Sequence, residues 1–202
     1  YYTEDGTLIS SLTEKQFFGA AANTAANQFD PKIIYNTSWN RFIVVDLEGS
    51  NNATTRLLVA FSKTSNPSDG WWIYSLNSNS GGHSSLWFDY PTIGYTEEDL
   101  VVGGNMYTNG AGGTYSGARV VMMNLDDGFN GNSLSNSHFE LDTDDSYRMH
   151  PCSYPFGTYG PGAYLLKRNG SDELGLWDIT DNLSGSPTLD VYSFSTEVID
   201  LP

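Results

Sequence analysis

Three prolines at a spacing of 60 residues open similar segments of this chain. Pro31, Pro91 and Pro151 each stand at the start of a run of strand-forming residues. Tyr35 and Tyr95 follow the first two prolines at the same distance. Because a fixed period in sequence indicates a repeated structural unit, this spacing favours a fold built from repeats over a single irregular domain.

Each unit contains four short runs rich in Val, Ile, Leu, Tyr, Phe and Trp, bounded by Gly, Asn, Asp, Ser or Pro, which is typical of β-strands. Helical periodicity is nearly absent, and only residues 13–26 could form a turn or two of helix. The predicted strands are 29–35, 41–45, 56–61 and 71–76 in the first unit, 88–95, 100–102, 118–123 and 138–141 in the second, and 149–154, 163–166, 174–177 and 189–194 in the third.

Four strands in each of three units predict an all-β fold, a β-propeller with four-stranded blades of about 60 residues. The alternative is a β-sandwich in which the spacing is accidental. A propeller ring needs 4–8 blades, so about three blades make an incomplete ring with open sheet edges. We therefore expect the chain to be a fragment of a larger propeller, or a unit of which several copies assemble into a ring.

The repeat also divides the chain. We expect residues 1–30 to contain the end of a preceding blade and a linker, residues 31–90 and 91–150 to form one blade each, and residues 151–202 to hold a blade and the start of the next. All four parts belong to one partial propeller domain. The partners expected at its open edges are the remaining blades of a parent chain or other copies.

The charge excludes several classes of protein. Nine Lys and Arg against 24 Asp and Glu give a net charge of −15. Nucleic-acid binding needs basic residues to contact phosphates, so we expect no nucleic-acid partner.

Other features of the sequence exclude further classes. No apolar run is long enough for membrane insertion as a helix. The single cysteine, Cys152, excludes an internal disulfide framework. Few charged residues and abundant Asn, Ser, Thr, Gly and Tyr favour an extracellular or bacterial cell-surface location.

Several segments together resemble a group of secreted bacterial β-propeller proteins that occur in large exported or surface multidomain chains. The resemblance covers nearly the whole sequence, and it implies the propeller fold and further blades after Pro202, but no particular activity. The segments that carry it are Asp30-Pro31 with Tyr35 and Arg41-Phe42, Ala60–Pro67 with Gly70-Trp71, Asp89-Tyr90-Pro91 with Gly94 and Asn105-Met106-Tyr107, His150-Pro151 with Gly162-Ala163-Tyr164, and Leu176–Thr180.

One face of such a propeller is the best candidate for a ligand site. The loop that enters the innermost strand and the loop between the second and third strands lie at the same end of each blade. Carboxylates at this end suit Ca²⁺, and aromatic and amide groups suit sugar hydroxyls. The alternative is that Asp30 and Asp89 only cap turns before proline. The predicted ligand-binding residues are Asp30, Asp46, Glu48, Asp89, Tyr90, Asn105 and His150.

Two acidic segments are candidate calcium loops. Residues 124–132 contain Asp126 and Asp127 but lack the spacing of an EF-hand loop, and a hairpin turn built on Asp-Gly would explain them equally well. Asp142 and Asp144 belong to a second acidic segment, whose alternative is a solvated turn. The metal prediction therefore comprises these four aspartates with Ca²⁺ as the possible ion.

No catalytic constellation stands out, so no catalytic residue is predicted. The sequence has no Gly-x-Ser-x-Gly elbow and no clustered arginines of the kind that a sialidase needs. We therefore expect a non-catalytic binding or adhesion module for an extracellular glycan or protein partner. The alternative is part of a propeller glycoside hydrolase or lyase that uses two carboxylates on an extracellular polysaccharide.

Overall fold

Three four-stranded antiparallel sheets make up the chain, and each sheet arranges its strands in the order of the sequence. The fold is taken from a computed structural model. It describes residues 2, 5–23, 26–50, 54–110, 112–141, 148–153, 160–169 and 173–195. The prediction of an all-β chain built from four-stranded units is confirmed within these residues.

The strands lie where the sequence predicts them, with bounds that differ by a few residues. The first sheet contains β1 (Gln28–Asn36), β2 (Arg41–Glu48), β3 (Arg56–Ser62) and β4 (Trp71–Asn77). The second contains β5 (Leu86–Tyr95), β6 (Asp99–Thr108), β7 (Tyr115–Asn124) and β8 (Asn136–Leu141). The third contains β9 (His150–Pro151), β10 (Ala163–Asn169), β11 (Glu173–Ile179) and β12 (Leu189–Ser195).

The first strands of the three sheets lie side by side, because β5 contacts both β1 and β9. These inner strands begin ahead of the prolines that revealed the units. The expected divisions at 30/31, 90/91 and 150/151 consequently fall inside β1, β5 and β9 rather than between sheets. Each sheet is a simple meander, and the described residues form no closed ring.

Two apolar cores hold the sheets together. Between the first and second sheets lie residues such as Leu47, Phe61 and Phe88, all fully buried. Between the second and third sheets, Val120 packs in the same cluster as Trp177. The second sheet is therefore buried on both faces, and successive residues of β6 and β7 are buried almost without interruption rather than alternating between buried and exposed.

Arginines bridge the joint between the first and second sheets. Arg119, 1% exposed on β7, donates to the carbonyl oxygens of Ser78 and Ser80, each at 2.7 Å, and pairs with Glu140. Arg41 on β2 donates at 2.7 Å to the carbonyl oxygen of Phe129. Charged donors thus satisfy backbone carbonyls that the contact between the sheets removes from water.

Two short α-helices accompany the sheets. Helix α1 (Glu14–Phe18) begins with a Thr13 capping box and packs Phe18 against the outer face of the first sheet. Helix α2 (Leu125–Asn130) joins β7 to β8, where the sequence suggested a hairpin turn or a calcium loop. Among the described residues, no helix has the length and apolar character needed to span a membrane.

Candidate functional site

A β-bulge interrupts both β1 and β5 at their prolines. Phe29 pairs with Leu47 and Lys32 with Val45, so two residues of β1 stand opposite one residue of β2. The same shift occurs in β5, between the Asp89 and Thr92 pairs. The bulges place Asp30 and Tyr90, each directly before a proline, at φ angles of 58° and 55°.

A third residue with positive φ precedes the inner strand of the third sheet. Arg148 has a φ of 58° and lies two residues before β9. Such a conformation costs an ordinary residue about 1–2 kcal/mol. Strained residues of this kind cluster at functional sites, so their position marks this region as a candidate site.

The Tyr90 ring lies between groups from the other two sheets. The Lys32 Nζ atom is 6.0 Å and the Arg148 guanidinium carbon is 5.4 Å from the ring centroid. Both distances are within or at the limit of a cation–π contact. Tyr90 remains 41% exposed, so the ring and its two cations form an open surface where the three sheets meet.

Carboxylate and amide groups complete this surface. Burial is the main cause that raises the pKa of Asp89, and the negative charge of Asp30 raises it further. Asn105, 2% exposed, pairs in register with Asp89 and accepts a hydrogen bond of 3.1 Å from the Arg148 backbone N–H. We call Asp30, Lys32, Asp89, Tyr90, Asn105 and Arg148 the bulge cluster.

The structure places the other predicted ligand residues outside this cluster. Asp46 lies opposite the β1 bulge, on the outer face of the first sheet, where it lines a groove. Glu48 is fully buried and accepts hydrogen bonds from the Asn23 backbone N–H at 2.8 and 2.9 Å, so it anchors the segment before β1. His150 is exposed on β9, in register with Leu166.

The predicted metal residues fall in two places. Asp126 accepts a hydrogen bond from the Asn130 side chain, and Asp127 accepts one from the Ser135 backbone N–H, both at 3.0 Å. Asp142 and Asp144 lie outside the described residues. Within the part of the chain that the structure describes, no three His, Cys, Asp or Glu side chains are grouped so that they could hold a metal ion.

Sequence reasoning missed both basic members of the bulge cluster. Lys32 follows the Asp-Pro pair that drew attention to β1, and Arg148 precedes the His150-Pro151 pair. Their proximity to these motifs was the available signal. What the sequence could not reveal is that the bulges bring the two cations to one tyrosine ring on a third element.

No family model and no curated protein matches the sequence. Among solved structures, the fold is similar to the complex of the GH93 alpha-L-arabinofuranosidase of Fusarium graminearum with arabinobiose. That similarity has a TM-score of 0.39 at 11% sequence identity and covers 88% of this chain. The chain spans 60% of the length of that arabinofuranosidase chain.

Proposed function

We propose that the chain is part of a β-propeller and that the bulge cluster binds a glycan without catalysis. The observation that carries this proposal is the meeting of three strained residues, Asp30, Tyr90 and Arg148, where the three sheets adjoin. A non-glycine residue at positive φ strains the backbone, whereas glycine would adopt the same conformation without strain. Three such residues at one place therefore support a functional role for their side chains.

The chemistry of the cluster supports a sugar ligand. An exposed tyrosine ring offers an apolar face, and neighbouring carboxylates and an amide can exchange hydrogen bonds with hydroxyl groups. Lys32 and Arg148 add positive charge, which suits a glycan that carries acidic groups. A protein partner is the competing ligand in the experiment below.

The proposal includes the protein to which the chain belongs and its location. We propose a secreted or cell-surface bacterial protein of the propeller group that the sequence resembles. The remaining blades, or other copies, would cover the open face of the third sheet. Calcium binding by the predicted aspartates, Asp126, Asp127, Asp142 and Asp144, stays a prediction.

Binding to a glycan array, run beside a pull-down of protein partners and followed by titration of the best glycan, tests the ligand. Tyr90→Ala should weaken binding about fivefold or more, since truncating a central aromatic contact costs upwards of 1 kcal/mol. The matched control is Tyr192→Ala, because Tyr192 is 46% exposed but lies on β12. Equal binding by wild type and Tyr90→Ala would contradict the proposal, as would binding to proteins only.

A glycoside hydrolase or lyase is the second candidate. The observation that favours it is the pair of carboxyl groups at Asp89 and Asp30, of which burial raises the pKa of Asp89, because glycosidic bond cleavage uses two carboxyl groups, one of them an acid with a raised pKa. Turnover of a polysaccharide that Asp89→Asn abolishes, with glycan binding retained, would establish this candidate in place of the binding module.

A further inference from the structure

The first sheet carries a groove of about 1150 Å³ on its outer face. The segment that leads into α1 forms one wall, and β1, β2 and β4 form the other. The walls are mainly apolar and open to solvent, as shown by Ile33, which is 65% exposed. Apolar side chains along the groove include Leu8, Leu12, Phe17, Val44 and Trp71.

One acidic side chain in this groove lacks a partner for half of its carboxylate. Asp46 is fully buried and lines the groove. Its Oδ1 atom accepts a hydrogen bond of 2.8 Å from the Leu47 backbone N–H, and the Phe29 backbone N–H also acts on the carboxylate, whereas Oδ2 has no donor at hydrogen-bond geometry. An unsatisfied buried carboxylate oxygen is costly, so a donor entering the groove would find an acceptor already in place.

The charge of the groove is one-sided. Glu14 of α1 also lines it, and the negative charge of Glu14 acts on Asp46. Among the described residues that line the groove, there is no Lys, Arg or His. An apolar surface with two carboxyl groups and no cation is complementary to a positively charged group with apolar neighbours.

At the contact between the first and second sheets, arginine side chains donate hydrogen bonds to backbone acceptor oxygens. There, Arg119 and Arg41 reach across from one sheet to carbonyl oxygens associated with the other. The groove offers the same combination of an apolar sheet face and an acceptor without a donor. Its extent across three strands suits a length of polypeptide better than a small amine.

We propose that the groove receives a polypeptide segment carrying a lysine or arginine among apolar residues, whose basic group donates to the Oδ2 atom of Asp46. The apolar neighbours of that residue pack on Ile33, Val44 and Trp71. This inference does not depend on the ligand of the bulge cluster, because the groove lies on the outer face of the first sheet.

Selection from a phage-displayed library of random heptapeptides on the intact chain tests the proposal. Enriched peptides should place Lys or Arg between apolar residues. Asp46→Asn, which keeps the shape of the side chain, should weaken the best synthetic peptide at least about tenfold. Replacing the basic residue of that peptide by norleucine should have the same effect on wild type. Asp190→Asn, an exposed site on β12, is the matched control and should leave binding unchanged.

Four results would overturn the proposal. The first is a selection that yields no peptide whose binding depends on Asp46, and the second is enrichment of peptides without basic residues. Equal affinity for benzylammonium would instead assign the groove to small amines. Dimers in sedimentation that Asp46→Asn dissociates would assign it to a second copy of this chain.

Discussion

At the scale of single residues, burial makes the ionised form of an aspartate at the start of β6 energetically costly. Asp99 is fully buried, and its Oδ2 atom accepts a hydrogen bond of 2.8 Å from the Leu183 backbone N–H. Its Oδ1 atom has no hydrogen-bond partner. Burial, followed by the charges of Glu98 and Asp181, raises the pKa of Asp99 to about 6. Compared with the unfolded state, the folded state therefore binds a proton at Asp99 more tightly.

The stability of the chain should consequently depend on Asp99 and pH. Because the pKa is higher in the folded than in the unfolded state, the free energy of unfolding falls as pH rises from about 4 to about 6. Asp46, whose pKa burial raises to about 7, contributes a slope of the same sign. Asp99→Asn should therefore increase the free energy of unfolding at pH 7.5 by roughly 1–3 kcal/mol and change it little at pH 4.

Urea unfolding of wild type and Asp99→Asn at both pH values measures this effect. Glu173→Gln is the control, since it removes one carboxylate from an exposed strand position. Parallel pH profiles of wild type and Asp99→Asn would show that Asp99 is not responsible.

At the scale of elements, we expect Asp30 in the β1 bulge to lower the stability of the chain while its side chain contributes to glycan binding. Asp30 has a φ of 58°, which glycine adopts without steric cost. Asp30→Gly should raise the free energy of unfolding by up to about 1 kcal/mol, and Asp30→Val should lower it by at least as much. Glycan binding should weaken in both variants. Denaturant unfolding measures the first effect, and a less stable glycine variant would mean that the Asp30 side chain itself holds the bulge.

The strands could be predicted from sequence because their signal is local. Apolar and β-branched runs bounded by Gly, Asn or Pro appear at every one of the long strands. Helix α2 could not, because Asp-Gly within residues 124–132 favours a turn. The structure forms a helix there for two reasons. The Asn124 side chain accepts a hydrogen bond from the Asp127 backbone N–H and so caps the N-terminus, and Gly131, at a φ of 72°, ends the helix.

The candidate site was predicted only in part for a similar reason. Asp30, Asp89, Tyr90 and Asn105 stand beside motifs that repeat, so the topology of inner strands was enough to group them. Asp46 was assigned to the same end of the sheet, yet its side chain lines the outer groove. The face of a strand on which a side chain lies depends on the bulge register, and a bulge of one residue leaves no signature in composition.

At the scale of the whole molecule, the repeat in the sequence is less regular than its prolines suggest. Three of the four described non-glycine residues with positive φ, Asp30, Tyr90 and Arg148, are 60 and then 58 positions apart; the fourth, Asn40, lies in the turn after β1. Pro151 lies three residues after Arg148, whereas Pro31 and Pro91 follow their left-handed residues directly. The third proline is therefore offset from the first two, even though the third sheet repeats the strand order of the others.

We expect the buried Arg119 to contribute more than the partly exposed Arg41 to the stability of the contact between the first and second sheets. Arg119 is 1% exposed and makes two hydrogen bonds of 2.7 Å to backbone carbonyls. Arg119→Met leaves both acceptors without their charged donor and should lower the free energy of unfolding by roughly 3 kcal/mol. Arg41→Met, which loses one such bond at a partly exposed position, should cost about 1 kcal/mol. Urea unfolding followed by tryptophan fluorescence compares the two variants. An unchanged free energy of unfolding in Arg119→Met would mean that the apolar core alone holds the two sheets together, and that the arginine satisfies acceptors without stabilising the joint.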